Sequence, residues 1–144
     1  MPKKSIPLEL IDLNGNGFHL LVNVTVFKKR YKLVLDTGAS KTAFDKTLLL
    51  DLIHEDELKN SGHLTTGLGT NDMQSFTTSI LDFYVGKFHI PILEVAVLDL
   101  SAINIAYQNL EIAPVLGVLG GDILMEYQAI INYENCRIVL KSAE

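Results

Sequence analysis

Between Phe18 and Asp36 the chain reads FHLLVNVTVFKKRYKLVLD, in which Leu21, Asn23, Thr25 and Phe27 alternate with Val22, Val24 and Val26 before a polar break at Lys28 to Arg30. A period of two puts successive side chains on opposite faces, so this segment is expected to be a β-hairpin with one face on a core. Ahead of it, IPLELIDL followed by Asn14-Gly15-Asn16-Gly17 predicts another strand and a tight turn, because Asn and Gly tolerate the positive φ that such turns require. Behind it, DTGAS breaks the alternation, and FDKTLLLDL from Phe44 to Leu52 favours a short helix. The stretch from Gly62 to Leu100 again has strand composition, interrupted by Gly67, Gly69 and Gly86. Ser101 is placed to cap a brief helix through Ala102 to Leu110. APVLGVLGGDILMEY then passes from an apolar run to a glycine pair and a second helical stretch, and QAIINYENCRIVLK reads as strand, Glu134-Asn135 turn, strand. The expected architecture is all-β with two or three short helices.

The 144 residues, 48% of them hydrophobic, suffice for one domain over 1–144 with its own core and no staples. The single cysteine, Cys136, excludes an intrachain disulfide, and with Arg137 beside it and no activating partner in view it reads as an inert small residue. His19, His54, His63 and His89 are scattered without metal-ligand spacing, so no metal and no cofactor are expected. The start of the chain, MPKKSIPLELIDLN, has no apolar run fit for a signal peptide, and no segment approaches a membrane span of about 20 apolar residues, which leads us to expect a cytoplasmic protein with no membrane partner. A net charge of −5 and a basic run limited to Lys28, Lys29, Arg30 and Lys32, read as a solvated hairpin tip, make nucleic acid an unexpected partner as well.

The chemistry concentrates at Asp36. It follows the apolar strand Leu33-Val34-Leu35 and precedes Thr37, Gly38, Ala39 and Ser40. A carboxylate against a hydrophobic strand end is costly to ionise unless hydrogen-bonded, and a glycine two residues on lets a backbone N–H reach it. Thr37 offers a hydroxyl to a neighbouring loop, and Ala39 is small enough for close approach by another chain. Taken alone, the triplet is equally an ordinary tight turn with Asp36 capping the loop behind it.

Asp36-Thr37-Gly38-Ala39 after a hydrophobic strand resembles the signature of the aspartic peptidases of the retropepsin-like (retroviral-type) group. Val118-Leu119-Gly120 followed by Gly121-Asp122-Ile123-Leu124 is similar to the family's later apolar-apolar-glycine segment beneath the catalytic loop, and Thr65 to Thr70 falls where the family places its flap. The resemblance spans about 18–140 and implies an acid-protease half-barrel. It further implies that Asp36 is catalytic, that Thr37 braces paired loops, and that Gly38 contacts substrate, with Ala39 and Ser40 completing the loop. By the same resemblance Gly67, Leu68, Gly69 and Thr70 close over the substrate, while Val118, Leu119 and Gly120 lie below.

Only one Asp-Thr-Gly occurs; Asp45, Asp51, Asp56, Asp72, Asp82, Asp99 and Asp122 are not followed by Thr-Gly or Ser-Gly. Hydrolysis of this type takes two carboxylates sharing a proton, so one chain carries half a site and a twofold homodimer supplies the other half. An extended peptide is the expected substrate. Ser40 and Gly121 stand where the viral enzymes carry an acidic residue and an arginine that help to fix the dimer, so pairing is expected to rest elsewhere, in Ile6 to Ile11 or Arg137 to Leu140. In length the chain looks closer to cellular and bacterial members. The rival reading is a non-catalytic dimeric peptide-binding or scaffolding module on the same fold.

Overall fold

A computed structural model describes residues 2–65 and 73–142, with backbone alone at 61–65 and 73–74. The strands are β1 (Lys3–Asp12), β2 (Phe18–Val26), β3 (Lys29–Leu35), β4 (Ala43–Asp45), β5 (Lys59–Thr65), β6 (Met73–Val85), β7 (Phe88–Leu98), β8 (Gly117–Leu119), β9 (Ile130–Asn132) and β10 (Arg137–Lys141). Three short α-helices, α1 (Lys46–Leu49), α2 (Ser101–Asn109) and α3 (Gly121–Glu126), and a 3-10 turn at Glu55–Glu57 complete the described elements. The all-β expectation with short helices holds.

The sheet runs β5-β6-β7-β4-β8-β3-β2-β1-β10-β9, and a further pairing of β6 with β2 closes its central six strands into a barrel. The alternating hairpin builds one wall of it: Leu20, Val22, Val24 and Val26 all point into the main core with Leu33, Phe44 and Phe83. Leu21 and Val34, on the opposite face, are buried too, in a second cluster with Leu98, Leu100, Tyr107 and Val118 beneath α2. That cover explains why FHLLV carries consecutive apolar residues where a half-exposed strand would alternate strictly.

Local chemistry sets the turns. Asn14 and Gly15 take positive φ, and the Leu13 N–H donates to the Gly17 carbonyl at 2.8 Å. The β2–β3 turn lies one residue earlier than its polar break suggests: Val26 and Lys29 are register partners, and Phe27 and Lys28 sit at φ 51 and 68. A two-residue hairpin turn needs φ > 0 at both central positions to match the strand twist, and here it is met without Gly or Asn.

Two helix assignments need correction. Phe44 is not helical; Ala43–Asp45 forms β4, and α1 covers Lys46–Leu49 only. The Asp45 carboxylate accepts from the Leu48 N–H at 3.1 Å and so starts that helix one residue past the strand. Ser101 does not cap α2 but belongs to it, and the Asp99 carboxylate accepts from its N–H at 3.0 Å. Hydrogen bonds from Ser101 hold the Asp99 carboxyl below its ordinary range.

Strands β1 and β10, where a second copy was expected to attach, pair with each other inside one chain from Lys3↔Lys141 to Pro7↔Arg137, and β10 also pairs with β9. Among the described residues no helix is long and apolar enough to cross a membrane.

β8 is threaded between β3, to which it is parallel, and β4, to which it is antiparallel. At Gly117 a Cβ would overlap the Ala43 carbonyl oxygen and lie 2.9 Å from the Phe44 Cα, both backbone atoms that cannot yield locally. Gly117→Ala is therefore expected to lower stability by about 3 kcal/mol or more, read from the urea midpoint. A midpoint unchanged from wild type would mean that β4 and β8 are not packed so closely.

Candidate active site

β3 delivers Asp36 as its next residue. The Asp36 N–H still donates to the Leu119 carbonyl of β8 at 3.0 Å, so the parallel ladder continues one step past the strand. The chain then doubles back: the Gly38 N–H donates to Asp36 Oδ1 at 3.0 Å and the Ala39 N–H to the Asp36 carbonyl at 3.2 Å. The Asp36 side chain is half-buried, whereas Thr37, Gly38 and Ser40 are exposed. Oδ2 of Asp36 has no hydrogen bond to any described residue, which leaves it open to water or to a ligand.

From Ala39 to Thr42 the loop crosses the end of β8 and is fastened there. The Gly121 N–H donates to the Ala39 carbonyl at 2.7 Å, and the Gly120 N–H to Thr42 Oγ1 at 3.0 Å. Thr42 is fully buried, and both its N–H and its hydroxyl donate to Asp122 Oδ1, at 2.9 and 2.8 Å. A Cβ at Gly120 would lie 2.8 Å from the Ala39 carbonyl oxygen, which is why a glycine ends the apolar pair. Val118, Leu119 and Gly120 are thus buried directly beneath the Asp36 loop, whereas at Gly121 a Cβ would meet only ordinary contacts, 3.4 Å at the nearest.

Beside Asp36 opens a cleft of about 340 Å³. Gly38, Ala39, Ser40 and Lys41 border it on the loop side, with Ala43, Ala96, Leu98, Leu100, Ile103 and Val118 giving it an apolar floor. Thr37 is not part of this lining. The Lys41 ammonium pairs with Glu94 at 2.9 Å, and its hydrogen bond and charge hold the Glu94 carboxyl below the ordinary carboxylate range. Both partners are exposed, so the pair contributes little to stability.

Several residues that shape the cleft gave no motif signal. Asp45, 3% exposed, accepts from the Leu100 N–H at 2.8 Å as well as from α1, tying the first helix to the start of the second. Tyr107 of α2 is buried, its hydroxyl 2.6 Å from His19 Nδ1 on β2, and burial pushes that hydroxyl up to about 12. Asn104 brackets Val115 with two side-chain hydrogen bonds, at 2.9 and 2.8 Å. Together these fix α2, and with it Ile103, over the cleft. Asp45 and Asp122 were set aside in the sequence because neither precedes Thr-Gly; the usable signals were an Asp just ahead of a helical run and an Asp in the first turn after a glycine pair.

Gly67, Leu68, Gly69 and Thr70 lie outside the described residues; β5 and β6, which flank them, pair at Thr65↔Met73. Among the described residues no group of three or more His, Cys, Asp or Glu is placed to hold a metal. His89 pairs with Asp82 at 2.8 Å on the β6–β7 ribbon, and Cys136 sits at φ 53 in the β9–β10 turn.

Residues 22–123 match the family model described as aspartyl protease. No curated protein matches the chain in sequence. Among solved structures, a retropepsin-like aspartic protease from Rickettsia conorii superposes with a TM-score of 0.59 at 20% identity, covering 96% of this chain and 90% of that one. The EIAV protease, in complex with an inhibitor, gives 0.58 at 20% identity over 85% and 99%. The retroviral protease-like domain of Ddi1 from Leishmania major gives 0.54 at 16% identity over 88% and 97%.

Asp122 is the knot of this site, since two donors of a buried threonine converge on one of its oxygens. Asp122→Ala strands those donors and is expected to cost about 1–3 kcal/mol in a denaturation experiment, with Thr42→Val giving a loss of the same order. Losses that add fully in the double variant would show that the two side chains do not act through each other.

Proposed function

Because this chain belongs to the aspartyl protease family and carries its retropepsin-like fold, we propose that it hydrolyses peptide bonds as a homodimer in which each copy supplies one Asp36. The observation that carries this reading is a single Asp-Thr-Gly loop, pinned to β8, holding one carboxylate with one oxygen fixed by Gly38 and the other free beside an apolar cleft. One such carboxylate cannot serve as base and acid at once. A second copy across a twofold axis brings its own, and the two share a proton.

In the proposed reaction the ionised member takes a proton from a water lying between the pair. The resulting hydroxide attacks the scissile carbonyl carbon, and the protonated member gives its proton to the carbonyl oxygen. Collapse of the tetrahedral diol returns that oxygen to a carbonyl, breaks the C–N bond and sends a proton to the leaving amine. The exposed Thr37 is suited to reach the partner loop, the Gly38 backbone to bind the substrate main chain, and Gly67 to Thr70 to close over it. The substrate of this reading is an extended peptide with an apolar side chain lodged on Ala43, Ala96, Leu98 and Val118. We place the enzyme in the cytoplasm, a location that the lone free thiol of Cys136 suits.

Asp36→Asn keeps size and shape while removing base and shared proton together, so kcat/KM for any cleaved peptide is expected to fall at least about a hundredfold with folding intact. Specific activity of the wild type is also expected to drop on dilution, as the paired fraction falls. A folded Asp36→Asn variant that still cleaves, or activity independent of concentration in a strictly monomeric chain, would refute the half-site reading; a folded protein that binds peptides and never cuts them would favour the scaffolding alternative.

Ala39 borders the cleft with Asp36 and has no hydroxyl to offer the carboxylates. Ala39→Ser adds a donor that favours the ionised form of the pair, and the sign follows: both limbs of the bell-shaped kcat/KM profile should move toward acid. Movement toward alkaline pH with the dimer intact would mean that residue 39 does not face the carboxylates.

A further inference from the structure

Away from the Asp36 cleft, β1 and β2 separate. β2 pairs with β1 from Leu8↔Val22 to Asp12↔Phe18, then takes Val85 and Tyr84 of β6 as neighbours through Val24 and Thr25, while Lys3–Pro7 of β1 turns to β10. The fork leaves a groove of about 440 Å³, lined by the two diverging strands and the β6–β7 turn at Gly86-Lys87. Lys4, Arg30, Lys87 and Arg137 line it, and none of the lining residues is acidic.

That grouping runs against the rest of the chain, in which 17 acidic residues outnumber 12 basic ones. None of the four cations is in an ion pair among the described residues, whose pairs are Lys32–Glu9, Lys41–Glu94 and His89–Asp82. Arg137 is held in place: its Nε donates to Ser5 Oγ at 2.6 Å and Nη2 to the Ser5 carbonyl at 3.0 Å, and its remaining guanidinium donors have no hydrogen bond to any described residue. Of the groove's apolar lining, Ile6 and Val24 are already buried in the core and Pro7 is exposed, and the four cations that share the groove repel one another. An anion relieves that repulsion.

We propose that this groove docks an acidic segment of a protein partner, an extended run of Asp and Glu whose carboxylates meet Lys4, Arg30, Lys87 and Arg137. A polynucleotide fits it less well on overall charge, because the chain as a whole carries −5 and repels a long phosphate backbone beyond its local contacts, whereas a short acidic segment needs only the groove's own cations. The groove also absorbs Arg30 of the basic run at 28–32, which the Asp36 site leaves without a role.

The test uses the full chain carrying Asp36→Asn, so that the peptide stays whole and the result does not depend on the proposed catalysis. Fluorescein-labelled oligo-glutamate and oligo-glutamine peptides are titrated and followed by anisotropy. Oligo-glutamate is expected to bind and oligo-glutamine not to. Affinity should fall about tenfold in Arg30→Gln/Lys87→Gln, and should weaken as salt rises to about 0.15 M, where screening acts over roughly 8 Å. Lys59→Gln on β5 should bind as the parent does. A melting curve reports folding, and if the double variant unfolds, the exposed single change Lys4→Gln gives the answer by the same loss. The proposal is overturned if oligo-glutamate does not bind, if oligo-glutamine binds equally, if Lys59→Gln weakens binding as much as the groove variants, or if a single-stranded oligonucleotide binds more tightly than oligo-glutamate.

Discussion

The arrangement depends on one crossing: the loop from Asp36 to Thr42 passing over the end of β8. With β8 parallel to β3 and antiparallel to β4, the chain leaves β3, steps across the end of its neighbour and returns on the far side. A loop laid over a strand end would bury backbone groups without partners, a cost of about 1–3 kcal/mol for each one left unmet. The structure meets them in pairs: Leu119 accepts from Asp36, Ala39 accepts from Gly121, and Thr42 mediates between Gly120 and Asp122. Asp36 therefore owes its position to groups distant in sequence, and the loop that carries it is held at both ends while its middle, Thr37 and Gly38, faces outward.

The cleft follows from that crossing and from the doubled core. Because β2 and β3 are buried on both faces at Leu21 and Val34, something must cover the second face, and α2 does so through Tyr107 and Leu100. The helix has little to hold it in its own sequence; its anchors are the Tyr107–His19 contact, the Asn104 bracket on Val115 and the Asp45 bond to Leu100. The same cover that completes the core brings Ile103 and Leu100 to the edge of the space beside Asp36. Folding and site formation share their atoms there, so a change in α2 acts on both.

What the sequence disclosed and what it concealed divide along range of interaction. The β2–β3 hairpin, the Asn14-Gly15 turn and the break at Gly86 are local patterns and were legible as such, the hairpin to within one residue at its turn. Asp36-Thr37-Gly38 and Val118-Leu119-Gly120 were legible as spaced motifs, and the structure shows why that spacing matters, since Gly120 has no room for a Cβ against the Ala39 carbonyl. Phe44 was misread because a three-residue strand buried throughout shows no alternation, and the leucines after it favour helix more strongly than the strand favours itself. Asp45 and Asp122 were passed over because neither precedes Thr-Gly; their local helix-start positions were readable, but their long-range bonds to Leu100 and Thr42 left no mark in the sequence. The Phe27-Lys28 turn lies one residue ahead of the polar break read at Lys28 to Arg30, its positive φ values going with the Val26↔Lys29 register.

The half-site reading and the monomer's hydrogen bonding bear on one another. If the carboxylate of Asp36 were fully occupied within its own chain, both oxygens would be committed and there would be nothing left to share with a second copy. Instead Oδ1 is held by Gly38 and Oδ2 has no hydrogen bond to any described residue, which orients the group while leaving one oxygen uncommitted within them. Meanwhile β1, β9 and β10 satisfy their mutual pairings inside one chain, so what joins two copies need not be the exchange of those strands. On the half-site proposal, the chain would fold as one unit first and assemble its site second, with the Asp36 loop already fastened to β8 within one chain.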